Sequence, residues 1–490
     1  MDTSISKRKS RDASLLLMLF GCFLFAEVMF SYFTSPLFPY TYGDDSAIFS
    51  LMGKGVTEGK ILYIDLFDHK GPLIFLINAL GHLLGGRFGI FIIQCCSALC
   101  AITALYYGGK ILRPNGEYDS SLECFLIFFI GFSSFIYSMQ GGNLTEEYSV
   151  SAIAISLYFM TKYATNVNNC DSHPPLYAFI YGVCFAFLAF LRLNNAITIC
   201  AGVLPIIIYL IYKKKYKNIL LNFICGLLGI LTITIPLFIY FHHHSALGDM
   251  INSAFLHNFK IMGEQSHLPL TKKPLKYVAL YLPMIISMTF ILRHLRKNKI
   301  VFIDIVFLSI LLFNMIGLWI ANRFEHYFLL FVPVYIAIMN RYFKLNTNKL
   351  VTICITVCTI LNILLAGYYL SARIYLYING YVVSRYEAVY SDMQRIPEDE
   401  QNSVIGYMVR SEDYLYGEIT PCYKYYTLQE GWAQVNPQII QDFMDYLRGE
   451  DRPLWVILNQ QEDSAELMDI LTNYYVLQFE NDYLTFYRVR

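Results

Sequence analysis

The sequence predicts a mainly α-helical membrane protein that ends in a small α/β domain. Of the 490 residues, 56% are hydrophobic and only 15% are charged, whereas soluble domains carry about 25% charged residues. Apolar runs of about 20 residues, long enough to cross a bilayer, recur along the chain as far as residue 370. A net charge of zero and a pI near 7.1 give no sign of nucleic-acid binding.

About eleven transmembrane helices are predicted. The apolar segments lie at residues 13–33, 87–109, 122–139, 148–164, 176–191, 196–212, 218–241, 277–293, 300–321, 327–340 and 350–370. With a cytoplasmic N-terminus, nearly all flanking Lys and Arg residues fall in cytoplasmic loops, as the positive-inside rule requires. No small-x-small cleavage motif follows the first segment, so we expect it to be retained. The pattern predicts a multi-pass protein of the plasma or inner membrane.

Two outer loops contain short apolar stretches. The first outer loop, residues 34–86, ends in an apolar stretch from residue 71 that is too short to span a bilayer, which favours an interfacial helix. A second interfacial helix is predicted in 242–276, where Met250, Ile251, Phe255 and Phe259 fit one helical face. The triple histidine at the start of that loop is interpreted as a solvated helix end rather than a metal site.

Residues 371–490 have the composition of a soluble domain, which the span count places outside the cytoplasm. Strands are predicted at 403–408 and 454–459, with an amphipathic helix between them that opens at Pro437. A helix over 463–474 and a hairpin turning at Asn481 should complete a small α/β domain. We therefore predict two domains, with the boundary at residue 370.

The first outer loop carries an unusual concentration of charge. Asp44, Asp45, Asp65, Asp68, His69 and Lys70 lie within it. Carboxylates are costly beside hydrocarbon, so the cluster indicates a function. An enzyme outside the cytoplasm can take an activated sugar from a polyprenyl-phosphate carrier in the membrane. Such a transfer needs a carboxylate to remove the acceptor proton and cations to stabilise the leaving phosphate.

The motif Tyr-x-Asp-x-x-Asp-His-Lys-x-Pro-Leu at 63–73 resembles the first outer loop of GT-C-type polytopic membrane glycosyltransferases. The resemblance is closest to the bacterial branch related to protein O-mannosyltransferases and the lipid A aminoarabinose transferase. Residues 141–149, 190–197 and 323–333 are similar to further segments of that family. The resemblance implies a GT-C-type bundle with interfacial helices and a lipid-phosphate-linked sugar donor.

The resemblance also implies roles for particular residues. The family has an Asp-Glu-type pair after the first span, with which Asp45-Ser46 aligns; Asp45 is therefore the favoured catalytic base and Asp44 the alternative. The chemistry of the transfer, rather than the resemblance, indicates that the donor phosphate would be bound by four basic residues at the outer ends of helices, Lys70, Arg192, Arg323 and His326. Five further residues would bind substrate: Asp65, Asp68, His69, Glu146 and Glu147. No metal or cofactor is required, although a divalent ion between carboxylates stays possible.

The predicted function is inverting transfer of a hexosyl or pentosyl group from a polyprenyl-phosphate carrier to a hydroxyl of a glycan, lipid or protein. A transporter or lipid-carrier flippase is the alternative, although transporters place charged sites near the bilayer midplane on broken helices. A membrane scaffold that displays the C-terminal domain is a third class. Structural roles also stay open for individual residues: helix capping by Asp44 and Asp45, snorkelling of Lys70 and an Arg323–Glu325 pair.

Overall fold

Apolar helices form most of the structure, a computed structural model that describes residues 2–113, 121–169, 172–257, 274–320, 324–344, 349–434, 436–459 and 464–490. Among these residues, seven helices are long and apolar enough to cross a membrane: Arg11–Phe30, Arg87–Leu112, Leu193–Tyr212, Tyr216–His243, Pro274–Lys297, Phe302–Ile320 and Lys349–Ile378. The chain is therefore a mainly helical polytopic membrane protein, as predicted.

The remaining helices are shorter or more polar. They are Asp44–Thr57, Pro72–Leu83, Ser121–Ser138, Thr145–Ala164, Pro175–Leu191, Leu247–Ile251, Val332–Tyr342, Tyr381–Met393, Ser411–Tyr416, Gln429–Ala433, Gln438–Arg448 and Ala465–Tyr474. Short 3-10 helices span Leu193–Ala196, Glu325–Leu330 and Gln401–Ser403, and Asn252–Leu256 forms a π-helical turn.

The chain divides into two units. Unit 1 contains residues 1–31, 91–239 and 265–371, and unit 2 contains residues 32–90, 240–264 and 372–490. The predicted division into residues 1–370 and 371–490 stays a prediction.

Unit 1 is a helical bundle with a continuous apolar core. Glycines allow two of its helices to cross closely. A Cβ at Gly182 would lie 2.0 Å from the carbonyl oxygen of Gly226, and a Cβ at Gly229 would lie 2.1 Å from that of Phe179. Small residues at such crossings bring helix backbones together in membrane proteins, where packing replaces the hydrophobic driving force.

One predicted span of unit 1 is interrupted. The segment expected at 327–340 consists of the 3-10 helix Glu325–Leu330 and the α-helix Val332–Tyr342. Pro333 lies in the first turn of the second helix, where its missing N–H costs nothing. The α-helical part of the predicted span is therefore only the 11 residues of Val332–Tyr342.

Unit 2 combines the first loop with an α/β region. Its four-stranded sheet has the order β1-β2-β4-β3, with β1 (Val404–Tyr407) parallel to β2 (Trp455–Asn459). The last two strands, β3 (Tyr475–Glu480) and β4 (Leu484–Val489), form an antiparallel hairpin. The predicted strands, the amphipathic helix after Pro437 and the terminal hairpin are confirmed.

The first outer loop contains two helices of unit 2. Asp44–Thr57 packs against Pro72–Leu83, and a Cβ at Gly53 would lie 2.7 Å from backbone atoms of Asn78 and Ala79. The second helix has 12 residues, too few to span a bilayer, in agreement with the prediction. In the predicted interfacial helix of 242–276, Leu247–Ile251 is helical and Met250 is buried, while Phe259 falls in a part of the chain that the structure does not describe.

Candidate functional site

Asp44 and Asp45 occupy the first turn of the helix Asp44–Thr57. The N-cap residue is Gly43, whose backbone is extended and which makes no side-chain capping bond. The two aspartates therefore lie inside the helix rather than at the capping position. At the N-terminal end of a helix, the unpaired backbone N–H groups and the helix dipole favour carboxylates.

Lys70 contacts Asp45 across the first loop. Its ammonium nitrogen lies 3.6 Å from Asp45 Oδ1 and 3.9 Å from Asp68 Oδ1, and 5.4 Å from the centre of the Phe49 ring. The Lys70 side chain is 7% exposed, so it does not extend toward headgroups as a snorkelling lysine would. Asp45 keeps 41% of its side-chain surface exposed, which leaves the carboxylate accessible.

Three motif residues shape the turn that presents Lys70. Asp68 is buried and accepts a hydrogen bond from the Lys70 backbone N–H at 2.8 Å. Tyr63, with φ of 70°, donates its hydroxyl to the Lys70 carbonyl oxygen at 2.8 Å. Burial raises the pKa of Tyr63 well above its usual value, so the hydroxyl stays a neutral donor. Asp65 accepts a hydrogen bond from the Ile61 N–H at 2.6 Å.

His69 lies in an aromatic cluster that sequence reasoning missed. Its ring centre is 5.2 Å from that of Trp432, and Trp432 is 5.4 Å from Phe67. Tyr425 packs against Phe67 at 5.1 Å, and the Phe67 N–H donates to the Lys424 carbonyl oxygen at 3.0 Å. More than 350 residues of sequence separate these partners, so no local pattern could have found them.

Unit 1 contains a second polar cluster, in which residues from segments 141–149, 190–197 and 324–333 meet. Arg192 Nη1 lies 3.2 Å from Glu146 Oε1, and Arg192 Nη2 donates to the Tyr327 hydroxyl at 2.7 Å. Asn195 donates to the hydroxyl of Ser149 at 2.8 Å. Glu146 is 2% exposed, so Arg192 neutralises a buried carboxylate. Tyr327 was not among the predicted site residues.

Glu147 points into a different environment from Glu146. It accepts a hydrogen bond from Gln94 Nε2 at 2.8 Å, and together with Glu27 these residues line a cavity of about 20 Å³. Glu27 lies inside the first span, and sequence reasoning found no polar partner for it. In the structure Glu27 is buried beside Gln94 and Glu147, but neither of its carboxylate oxygens has a hydrogen-bond partner among the described residues.

The segment 323–333 contains two of the predicted phosphate-binding residues, Arg323 and His326. Arg323 lies outside the described residues, so its predicted role stays a prediction. Glu325, its proposed partner, is 2.9 Å from the ammonium group of Lys276. His326 Nδ1 lies 3.3 Å from Gln140 Oε1. Over the parts of the chain that the structure covers, no three His, Cys, Asp or Glu residues are grouped to hold a metal ion.

The fold defines a class of protein. The structure resembles ArnT from Cupriavidus metallidurans bound to undecaprenyl phosphate, with a TM-score of 0.63 at 10% identity, covering 96% of this chain and 97% of that one. The apo state of the same ArnT gives 0.61 at 11% identity, with 97% and 98% covered. The chain is thus a polytopic membrane protein with an ArnT-like, GT-C-type fold.

The sequence itself gives the family. Residues 6–390 match the family described as "Putative competence-induced protein Ccs4 N-terminal domain", and the chain belongs to that family. The Archaeoglobus fulgidus oligosaccharyltransferase, in complex with Zn and sulfate, gives a TM-score of 0.47 at 12% identity, with 97% of this chain and 73% of that one covered. No curated protein matches the sequence significantly.

Proposed function

We propose that the chain is an inverting glycosyltransferase that moves a sugar from a polyprenyl-phosphate carrier to an acceptor hydroxyl on the extracytoplasmic face. The observation that carries this proposal is the contact of Asp45 with Lys70 in the first loop of an ArnT-like fold. It places a partly exposed carboxylate beside a cation at the N-terminal end of a helix.

In this proposal Asp45 is the general base. As the acceptor oxygen attacks the anomeric carbon, Asp45 takes the hydroxyl proton, and the bond between that carbon and the phosphate oxygen breaks. The electron pair of this bond leaves with the phosphate. Because a phosphate is a good leaving group, it needs no second carboxyl group to protonate it. Asp44 is exposed in the same helical turn and serves as the alternative base.

Lys70 supplies positive charge to the leaving phosphate while it holds Asp45. Asp68 is buried beneath Lys70 and bonds its backbone, which supports a role for Asp68 in positioning the lysine. We extend the proposal for phosphate binding to Arg192, Arg323 and His326. Four further residues stay proposed as ligands of the sugar or the acceptor: Asp65, His69, Glu146 and Glu147.

The structure of ArnT with undecaprenyl phosphate supports a carrier of this chemical class. Identity to that protein is 10%, so the similarity concerns the fold, and the choice of carrier is part of our proposal.

The proposal is tested by comparing cells with and without the gene. Mass spectrometry of surface glycans and lipid-linked sugars should show one sugar missing without the gene and its carrier-linked form accumulating. Restoring the gene as Asp45→Asn should leave transfer about 10²–10⁴-fold slower, which is the typical contribution of a general base. Asp44→Asn, one position away in the same turn, is the matched control and should be less severe.

Expression and thermal unfolding of both variants separate loss of chemistry from loss of folding. Transfer at the wild-type rate by the Asp44→Asn, Asp45→Asn double variant would contradict a catalytic role for both aspartates. An unchanged glycan and lipid profile in the deletion strain would contradict glycosyl transfer itself.

A further inference from the structure

Unit 1 contains a cavity of about 450 Å³ whose lining includes no residue of the Arg192 cluster. It lies between the helices Pro175–Leu191, Ile197–Tyr212 and Tyr216–His243, and most of its lining is aliphatic or aromatic. Its volume falls within the range of about 300–1,000 Å³ typical of ligand sites. Leu204 and Ile207 line the cavity and are about 40% exposed, so it opens to the apolar surface of the bundle.

One end of the cavity contains a histidine with a fixed tautomer. The Asn222 side-chain amide donates to the carbonyl oxygens of His173 at 3.1 Å and Asn218 at 2.7 Å. These bonds direct Asn222 Oδ1 toward His173 Nδ1, which is 2.8 Å away. Nδ1 therefore carries the proton, and Nε2 of the neutral ring is a hydrogen-bond acceptor.

Two buried polar atoms in the cavity wall need a partner. His173 is 2% exposed and Tyr181 is 5% exposed, and their ring centres lie 5.7 Å apart. Within the described part of the chain, neither His173 Nε2 nor the Tyr181 hydroxyl has a hydrogen-bond partner. Because unsatisfied buried groups are costly, both atoms favour a ligand that donates to Nε2 and accepts from the tyrosine.

A basic turn lies at the same end of the cavity. Lys213, Lys214 and Lys215 connect the helix that ends at Tyr212 to the one that begins at Tyr216, and Lys217 is the second residue of that next helix. Leu210 and Ile219, on either side of this turn, line the cavity. Clusters of lysine beside grooves between transmembrane helices attract anionic lipid headgroups.

We propose that this cavity binds an anionic diacyl phospholipid of the phosphatidylglycerol type. An acyl chain fills the apolar part, and the lysine turn attracts the phosphate. A headgroup hydroxyl donates to His173 Nε2, and an ester carbonyl accepts from Tyr181. A polyprenyl phosphate has an apolar chain and a phosphate but no ester carbonyl, so the two lipid classes are distinguishable. This site is independent of the proposed transfer reaction.

Native mass spectrometry of the purified full-length protein with added phosphatidylglycerol tests the proposal. Tyr181→Phe removes only the hydroxyl and should weaken retention about threefold to tenfold, the effect of one hydrogen bond. Tyr335→Phe is the matched control, because the Tyr335 hydroxyl is also buried without a partner among the described residues but does not line the cavity. It should retain the lipid as the wild type does.

Gly226→Leu tests the cavity itself. A Cβ at Gly226 would have only the Ala178 carbonyl oxygen within 4 Å, at 3.5 Å, so the position has room for a Cβ, and the rest of a leucine side chain is expected to fill the cavity that Gly226 lines. It should abolish retention while thermal unfolding without added lipid stays close to that of the wild type. Replacing the four lysines by Gln should remove the preference for phosphatidylglycerol over phosphatidylcholine.

Three results would overturn the proposal. The first is unchanged retention of phosphatidylglycerol in both Tyr181→Phe and Gly226→Leu, which would leave water as the partner of the two polar atoms. The second is equal retention of phosphatidylcholine by the wild type. The third is stronger retention of polyprenyl phosphate than of phosphatidylglycerol, with the same sensitivity to Gly226→Leu.

Discussion

Arg192 is held between Glu146 and Tyr327, so its replacement should affect stability before it affects any substrate. Arg192→Ala would leave the Glu146 carboxylate buried without its ion-pair partner, which typically costs about 3–5 kcal/mol. Because the Arg192 side chain is 17% exposed, we expect a value at the lower end of that range. Thermal unfolding of the purified variant measures the loss.

A double variant separates the ion pair from a phosphate-binding role. Adding Glu146→Gln to Arg192→Ala should recover much of the lost stability, because a neutral amide is less costly to bury than an unpaired carboxylate. If the recovered protein binds polyprenyl phosphate as the wild type does, Arg192 is structural only. Weaker binding in the recovered protein supports the proposed contact with phosphate.

At the residue scale, the sequence did not predict which charged residues contact one another. Lys70 and Asp68 were expected to bind separate parts of the substrate, whereas in the structure they contact each other and share a hydrogen bond through the Lys70 backbone. Glu325 was considered as a partner of Arg323, and it contacts Lys276. Such pairs depend on tertiary geometry, on which composition and spacing carry no information.

At the scale of elements, Gly53 sets the distance between the two helices of the first loop. A Cβ at Gly53 would lie 2.7 Å from backbone atoms of Asn78 and Ala79. Backbone atoms cannot rotate away from such a contact as the end of a side chain can. Gly53→Ala should therefore separate the helices and lower the thermal unfolding temperature by several degrees, consistent with about 1–3 kcal/mol for overpacking. Asp45 lies on the first of these helices and Lys70 directly precedes the second. Separating the helices should therefore change the contact between Asp45 and Lys70 and lower the transfer activity.

Gly248→Ala is the control for this prediction. Gly248 lies in the short helix Leu247–Ile251 of the same unit, and a Cβ there meets nothing within 4 Å. Alanine is also the better helix former, so this change should be neutral or slightly stabilising. An equal effect of the two substitutions would mean that loss of glycine, rather than the helix contact, determines the result.

Elements with a clear local pattern were predictable. The amphipathic helix Gln438–Arg448 buries Ile439, Phe443, Met444 and Leu447, which recur at helical spacing, and the terminal hairpin turns where Asn481 precedes β4. The break between Leu330 and Val332 was missed because the surrounding residues are uniformly apolar, so hydropathy alone gives no boundary there. The turn at Gln140–Asn143 has four successive positive φ values, and its sequence signals are the two glycines and Asn143, since asparagine also tolerates the left-handed region.

At the scale of the whole molecule, unit 2 links the first loop to the C-terminal region. The Lys54 ammonium group donates to the Glu418 carbonyl oxygen at 2.6 Å, and Tyr416 donates its hydroxyl to the Tyr40 carbonyl oxygen at 2.6 Å. Segments in such direct contact must lie on the same side of a membrane. From the alternation of basic flanks, we predict that this side is the extracytoplasmic face.

Cysteine labelling in intact cells tests this assignment. In a background with Cys170 and Cys422 replaced by Ser, Thr57→Cys and Asp451→Cys should react with a membrane-impermeant maleimide, because both positions are exposed in unit 2. Lys299→Cys, exposed between two spans of unit 1, should react only after permeabilisation. Labelling of Thr57→Cys and Asp451→Cys from opposite sides would contradict the grouping of these segments in one unit. Labelling of both only after permeabilisation would invert the topology and place the first loop beside cytoplasmic nucleotide sugars, removing the reason for a lipid-linked donor.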